Sequence, residues 1–281
     1  EGLAILAGTP KTGKSWLALD VAVAVAGGYN AIGNIPCQQG DVLLLALEDN
    51  DRRLHQRLKA VLQDQSAPTA LHIATTWRRA DAGGLDDLTH WLMDHPRARL
   101  VVIDTLQMIR GQSNRTEGVY ANDYAAVGAL KALADKHGVS FCTVHHLRKE
   151  AAGDPLESVS GTAGITGSAD TILVLKREPK ESFGLLYVRG RDVPEAEIAM
   201  QFDDATGKWL RLNGADDFRR SRERNAILRA LIDLGEPMTP TEIADAIGKG
   251  KGSVRMLLSR MRKAGDVVKQ GDGRYALGVS L

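Results

Sequence analysis

The sequence predicts an α/β protein built on a mostly parallel, twisted sheet, followed by a small carboxy-terminal domain of different character. Three observations carry that prediction. Apolar runs rich in β-branched residues, LAILA near 3, DVLLLAL near 41, RLVVIDT near 99, VSFCTVHH near 139 and ADTILVL near 169, alternate with segments of helical periodicity such as Asp51 to Gln63 and Asn122 to His137. Continuous apolar runs are what strands covered on both faces require. The second observation is GTPKTGKS (8 to 15), set between the first apolar run and the helix-like WLALDVAVAVA. The third is a charge asymmetry: residues 219 to 281 carry 13 Lys and Arg against 7 Asp and Glu, leaving 23 against 28 for the rest.

At 281 residues the chain exceeds the usual domain of about 100 to 200 residues, so one large and one small unit are expected, here 1–214 and 219–281. With 43% hydrophobic and 25% charged residues it falls in the globular class. No apolar run approaches the roughly 18 residues of a membrane span, so no membrane partner is expected. Cys37 and Cys142 are far apart and lack metal-ligand spacing, which fits a reducing, cytoplasmic location. Because the sequence begins at Glu1 without a methionine, an upstream segment is expected to be missing from it.

Taken in order, the first element is a strand that ends in the pattern G-x-x-x-x-G-K-[ST], matched by Gly8, Gly13, Lys14 and Ser15. Such a loop wraps phosphates. Its backbone N–H groups converge on the anion, the following helix turns its positive end to the same charge, and Lys14 reaches the β and γ phosphates. Gly8, Thr9, Pro10, Lys11, Thr12, Gly13, Lys14, Ser15 and Trp16 are therefore the expected nucleotide cradle for ATP, with Ser15 a ligand to Mg²⁺. The next strands end in polar residues, where ligands of parallel sheets bind. Asp104 would complete the Mg²⁺ shell opposite Ser15, and Glu48 would orient or deprotonate the attacking water. Either carboxylate could instead cap the helix that follows it. His145 and His146 end a further strand, and a γ-phosphate sensor is the first reading, since no zinc spacing accompanies them.

Two long polar segments, 110 to 123 and 148 to 170, fall on the same edge, as functional loops often do. FGLLYVRGRDV and EIAMQFDDATGKWLRL are late strands, with DATG a hairpin bend; Arg189 and Arg191 alternate on one strand and so are expected on one side.

The succession GTPKTGKS, LALEDN, VVIDT, TVHHLRK, ESVSGTAGITGSADTILVLKR and VRGRDV…AMQFDDATGKW resembles the RepA-like branch of the RecA-type ATPases, which includes ring-shaped plasmid and phage replicative helicases, over residues 1 to 212. The resemblance implies a RecA-like P-loop NTPase core, active sites between the subunits of a homo-oligomer, a hexameric ring, and single-stranded DNA in its channel. Lys14, Ser15, Glu48 and Asp104 would act within one subunit, and His146 would sense the γ phosphate. Arg189 and Arg191 would reach a neighbour's nucleotide, where an arginine finger contributes about 10³ to 10⁵ in rate. The two loops would track DNA through Arg115, Arg148 and Lys149, by backbone contacts because aromatics are few.

Past Asp217, RRSRERNAILRALIDLGE places Ile227, Leu228, Leu231 and Ile232 on one helical face. TPTEIADAIG opens a short helix with a capping box, GSVRMLLSRMRKAG forms a third helix, and DVVKQGDGRYAL forms a ribbon. This is the pattern of a winged helix-turn-helix. Val254, Leu257, Leu258 and Met261 would face inward, leaving Ser253, Arg255, Ser259 and Arg262 for a DNA groove, with Lys251, Lys269 and Arg274 on phosphates. The leading expectation is a DNA-dependent ATP hydrolase of the helicase or translocase type, acting in replication of a plasmid, phage or mobile element, its tail on duplex DNA. A nucleotide-switched DNA-binding regulator or loading factor without processive unwinding uses the same nucleotide residues and stays open beside it.

Overall fold

Each apolar run forms a strand. In chain order the first unit contains β1 (Gly2–Gly8), α1 (Lys14–Gly27), a hairpin of β2 (Asn30–Ala31) and β3 (Ile35–Pro36), β4 (Asp41–Ala46), α2 (Asp51–Leu62) and β5 (Leu71–Ala74). There follow α3 (Gly84–Asp94), β6 (Ala98–Asp104), the single turn α4 (Leu106–Ile109), α5 (Val119–His137), β7 (Ser140–His146), β8 (Thr171–Arg177), β9 (Phe183–Gly190), β10 (Ala196–Asp203) and β11 (Lys208–Arg211). The computed structural model describes residues 1–111, 119–147, 168–178, 181–212 and 215–278, with backbone alone for 119–123 and 215–222. The chain divides into two units, Glu1–Arg211 and Leu212–Leu281.

Among the described residues, nine strands make one sheet in the order β11-β10-β9-β8-β1-β7-β6-β4-β5. From β5 to β8 every pairing is parallel, and from β8 to β11 every pairing is antiparallel. The central strands β1, β4, β6 and β7 are largely apolar because both their faces are covered. One face packs Leu3, Ile5, Val101, Ile103 and Phe141 against α3, α4 and α5. The other packs Leu6, Leu44, Val102 and Val144 against α1 and α2, and extends over Leu186, Met200, Phe202 and Trp209 of the antiparallel strands. β5 and α3, which the sequence pattern did not single out, complete the parallel edge and supply Leu88 and Leu92 to the first core.

Three expectations change in detail. Residues 119–123, expected in a loop, open α5. Arg191 lies in the bend after β9 rather than on the strand with Arg189, because β9 ends at Gly190. In the second unit Ile232 is 54% exposed, since Ile227 and Leu231, one turn apart, fill the stripe that faces the core and Ile232 lies about 100° further round.

That second unit holds α6 (Ala215–Leu234), α7 (Pro240–Ala246), α8 (Lys251–Lys263) and an antiparallel ribbon of β12 (Val267–Lys269) and β13 (Tyr275–Leu277). Its core is Ile227, Leu231, Met238, Ile243, Val254, Leu258, Met261, Val267 and Tyr275. α7 opens with a complete capping box: the Thr239 hydroxyl accepts from the Glu242 N–H at 3.2 Å while Glu242 accepts from the Thr239 N–H at 2.7 Å.

Candidate nucleotide site

The carboxyl ends of β1, β4, β6 and β7 bring the predicted residues to one edge. Strand β1 ends at Gly8, and the loop turns through Lys11 (φ 66°) and Gly13 (φ 98°), both left-handed, so that successive N–H groups face inward. Gly8 is needed for closeness, since a Cβ there would lie 2.5 Å from the Leu175 carbonyl oxygen. Helix α1 opens at Gly13 with no side-chain cap, leaving its first N–H groups for an anion. Thr12 is buried and its hydroxyl donates to the Thr9 carbonyl at 3.0 Å. Thr9, Ser15 and Trp16 are half-buried, while Pro10 and Lys11 are exposed at the rim.

Lys14 is buried, and its ammonium donates to the carbonyls of Gly8 and Thr9, both at 2.8 Å. Burial pushes its pKa from the usual 10.5 to about 8, against the opposite pull of Asp104 and Glu48. Asp104 ends β6 and is 8% exposed. Burial raises its pKa, a hydrogen bond from Ser15 lowers it, and the nearby Glu48 raises it further. A hydroxyl and a carboxylate in contact, with a buried ammonium beside them, form a hard-oxygen donor pair that suits Mg²⁺.

Glu48 lies two residues past β4 and is held by both oxygens. The Thr105 hydroxyl donates to Oε1 at 2.8 Å, and His146 Nε2 meets Oε2 at 3.2 Å. Burial is the largest single influence on this carboxylate and would raise its pKa. The His146 and Thr105 hydrogen bonds, with the charges of His146 and Lys14, outweigh it, and the net direction is down. His146 shares a face of β7 with Val144, which packs on the α1 side, whereas His145 takes the opposite face. The helix-cap alternative for the carboxylates is not what forms. Asn50 caps α2 by accepting from the Arg53 N–H at 2.9 Å, and the residue at the start of α4 is Thr105.

Arg189 and Arg191 are elsewhere. Because β9 runs antiparallel, Arg189 pairs with Ile172 and Gly190 with Thr171, while Thr171 pairs with Ala4 of β1. Arg191 donates its N–H to the Asp170 carbonyl, and the Asp170 carboxylate accepts from the Leu3 N–H. Through Ile172, Arg189 therefore stands level with Ile5 in the middle of β1, about 10 Å of strand from Gly8, and Arg191 two residues on reaches its amino end, about 16 Å away, at about 3.3 Å per residue. The Arg189 guanidinium pairs with Glu195 at 2.8 Å.

Two groups had no signal in the motif. Thr105 is indistinguishable in sequence from a helix cap. Trp209, fully buried on β11, donates its indole N–H to the Gly13 carbonyl at 3.2 Å, 196 residues away. Around it Phe202 lies at 5.2 Å and the Arg177 guanidinium at 5.5 Å. The conjunction of Gly-Lys-Trp at a hairpin bend was visible, but nothing local says which loop the indole meets.

In the second unit, Lys251, Ser253, Arg255, Arg262 and Lys269 are exposed, with Val254, Leu258 and Met261 inward and Leu257 half-buried. Arg274 is engaged inside the unit, to Glu242 at 3.1 Å and the Pro237 carbonyl at 2.9 Å, bracing the ribbon against the start of α7. Arg115, Arg148 and Lys149 lie outside the described residues.

A mostly parallel sheet with the phosphate loop after its β1 strand, an acidic β6 end two strands away and a second carboxylate just past β4 defines a RecA-like P-loop ATPase fold carrying a carboxy-terminal helix-turn-helix. The chain belongs to the AAA domain family, whose model matches residues 1–152, and an IclR helix-turn-helix domain model matches residues 226–271. In fold it is similar to the ATPase domain of G40P, with a TM-score of 0.61 at 16% identity over 75% of this chain and 85% of that one. It is similar also to a DnaB-like replicative helicase studied with primase, with a TM-score of 0.61 at 17% identity over 75% of this chain and 59% of that one. Among the described residues no helix is long and apolar enough to cross a membrane.

Proposed function

We propose that this protein is a DNA-dependent ATPase of the RepA-like replicative helicase type, hydrolysing ATP at the interfaces of a homo-oligomeric ring in the replication of a plasmid, phage or mobile element. The observation that carries the reading is the separation of the two halves of the site. Lys14, Ser15, Glu48, Asp104 and His146 meet at the carboxyl edge of the sheet, whereas Arg189 stands level with the middle of β1 and Arg191 at its amino end. In this reading the arginines serve the phosphate loop of a second copy, and their distance from the loop of their own chain supports that arrangement.

Within one subunit the loop amides and Lys14 bind the triphosphate, and Ser15 with Asp104 hold Mg²⁺, which when bound neutralises phosphate charge. Glu48 accepts the proton of a water aligned opposite the leaving β-phosphate oxygen. His146, on the same carboxylate, meets the γ phosphate. The neighbour's Arg189 and Arg191 offset charge that grows as the terminal phosphoryl group departs. Lys251, Ser253, Arg255 and Arg262 on the acid-free helix α8, with Lys269, contact duplex DNA, and Arg115, Arg148 and Lys149 contact single-stranded DNA in the channel.

ATP turnover and oligomer mass, measured with and without single- and double-stranded DNA, test this for wild type and Lys14→Ala. DNA-stimulated turnover above the Lys14→Ala background is expected. Its absence under every condition refutes the ATPase reading, and turnover indifferent to DNA favours a nucleotide-switched loading factor. Mixing Lys14→Ala with Arg191→Ala protomers is expected to restore activity, because some interfaces then join two intact halves. No recovery in a mixed ring removes the arginine assignment.

A further inference from the structure

The Glu48 carboxylate is clamped from two neighbouring strands, and one half of the clamp is a residue that the phosphate-loop motifs do not mark. Thr105 is 1% exposed, begins α4, and makes no cap hydrogen bond to that helix. An N-terminal threonine ordinarily turns its hydroxyl oxygen to the helix N–H groups. Here the hydroxyl crosses from β6 to β4 and donates to Glu48 Oε1 at 2.8 Å. The register explains why it can. Ala46 pairs with Asp104 and Asp104 with Val144, so Glu48 and His146, each two residues further on, arrive level with one another on either side of the β6 end. The Leu47 N–H donates to the Asp104 carbonyl at 2.7 Å and fixes the β4 end against β6.

We propose that Thr105 is the positioning residue for Glu48, fixing the carboxylate's rotation so that, with Oε2 shared with His146, one oxygen stays aimed at the attacking water. Without the hydroxyl, Glu48, whose side chain is 42% exposed, keeps among the described residues only its side-chain hydrogen bond to His146 and turns into solvent-facing rotamers. The inference rests on the hydrolytic reading above and names a residue that acts through Glu48.

The test is Thr105→Val, which keeps shape and removes the hydroxyl, beside Thr105→Ser, which keeps it. Misplacing a catalytic group by about 1 Å costs about 10²-fold. Thr105→Val is therefore expected to lower kcat about 10²-fold while KM and the affinity for a fluorescent ATP analogue change less than about 2-fold, and Thr105→Ser to stay within about 5-fold of wild-type kcat. In the nucleotide-free protein the Thr105→Val change in melting temperature should be larger in the wild-type background than with Glu48→Ala, because the bond it breaks exists only in the former. Wild-type kcat in Thr105→Val, an equal loss in Thr105→Ser, or additive melting shifts each overturn the proposal while leaving the ATPase reading standing. A wild type no faster than Lys14→Ala overturns both.

Discussion

Replacing Trp209 by Phe tests whether the phosphate loop is held from the far end of the chain. The indole N–H donates to the Gly13 carbonyl, which also accepts from the Leu17 N–H at 3.0 Å, so the substitution does not orphan that oxygen. The loss is then the net worth of one hydrogen bond, about 1 kcal/mol. The missing part of the ring leaves a void of about 40 Å³ in a site with no exposure, adding about 1 kcal/mol at about 24 cal/mol per Å³. A loss of about 2 kcal/mol in a unit of this size lowers the melting temperature by about 4–8 °C. Calorimetry should show that shift, and nucleotide titration should show weaker binding if the loop holds phosphate as proposed, because Gly13 opens α1 and its uncapped first turn. A shift under about 1 °C refutes the packing argument. A full shift with unchanged nucleotide affinity makes Trp209 a core residue only.

Three further outcomes follow from buried and half-buried groups. The Thr143 hydroxyl is buried in β7 without a hydrogen-bond partner among the described residues, so Thr143→Val should raise stability by about 1 kcal/mol in chemical denaturation, and a loss would refute the unpaired assignment. Burial holds Lys14 near 8, so as pH rises through that value the free protein loses the charge that phosphate needs. Nucleotide affinity should then fall by up to about tenfold per pH unit, and a flat profile from pH 7 to 9.5 would contradict it. The His72 ring lies 4.4 Å from that of His95, and burial first, then His95, lowers its pKa while Asp41 opposes. A lowered folded-state value means stability present above the unfolded value of about 6.5 and lost as pH falls below it. The urea midpoint should drop between pH 7.5 and 5.5, and drop less in His72→Phe.

Strands buried on both faces write themselves as continuous apolar runs, which is why β1, β4, β6, β7 and β8 were legible, and the polar residue that ends each run was legible for the same reason. β5 was not. Its LHIA is short and half-buried at a sheet edge, so it lacks the apolar run that marks a central strand. Glu48, Asp104 and His146 could be nominated from strand ends, but the Thr105 and Trp209 contacts depend on register between elements 57 and 196 residues apart, which no local pattern encodes. Arg189 and Arg191 were visible as a pair, whereas the edge they occupy follows from the antiparallel pairing of β9 on β8.

That pairing has a mechanical consequence. β9 carries the chain from the phosphate-loop edge past Arg189 to the amino edge, where Arg191 stands, and β10 carries it straight back. The turn between β10 and β11 then returns at the loop: a Cβ on Gly207 would lie 2.1 Å from the Trp16 ring, and Trp209 two residues on reaches Gly13. Eight residues of β10, about 26 Å at about 3.3 Å each, thus join the two edges through a hydrogen-bonded strand between β9 and β11. Lengthening the 191–195 connection cannot bring the arginines to their own Gly8, because the antiparallel direction of β9 fixes which edge they reach. What the meander does provide is a continuous packed path from the arginines to Gly13, in which Met200, Phe202 and Trp209 belong to the same core as α1. If the arginines serve a neighbour's nucleotide as proposed, this packed path is a candidate route for coupling the two sites, testable by whether Met200→Ala changes the cooperativity of turnover.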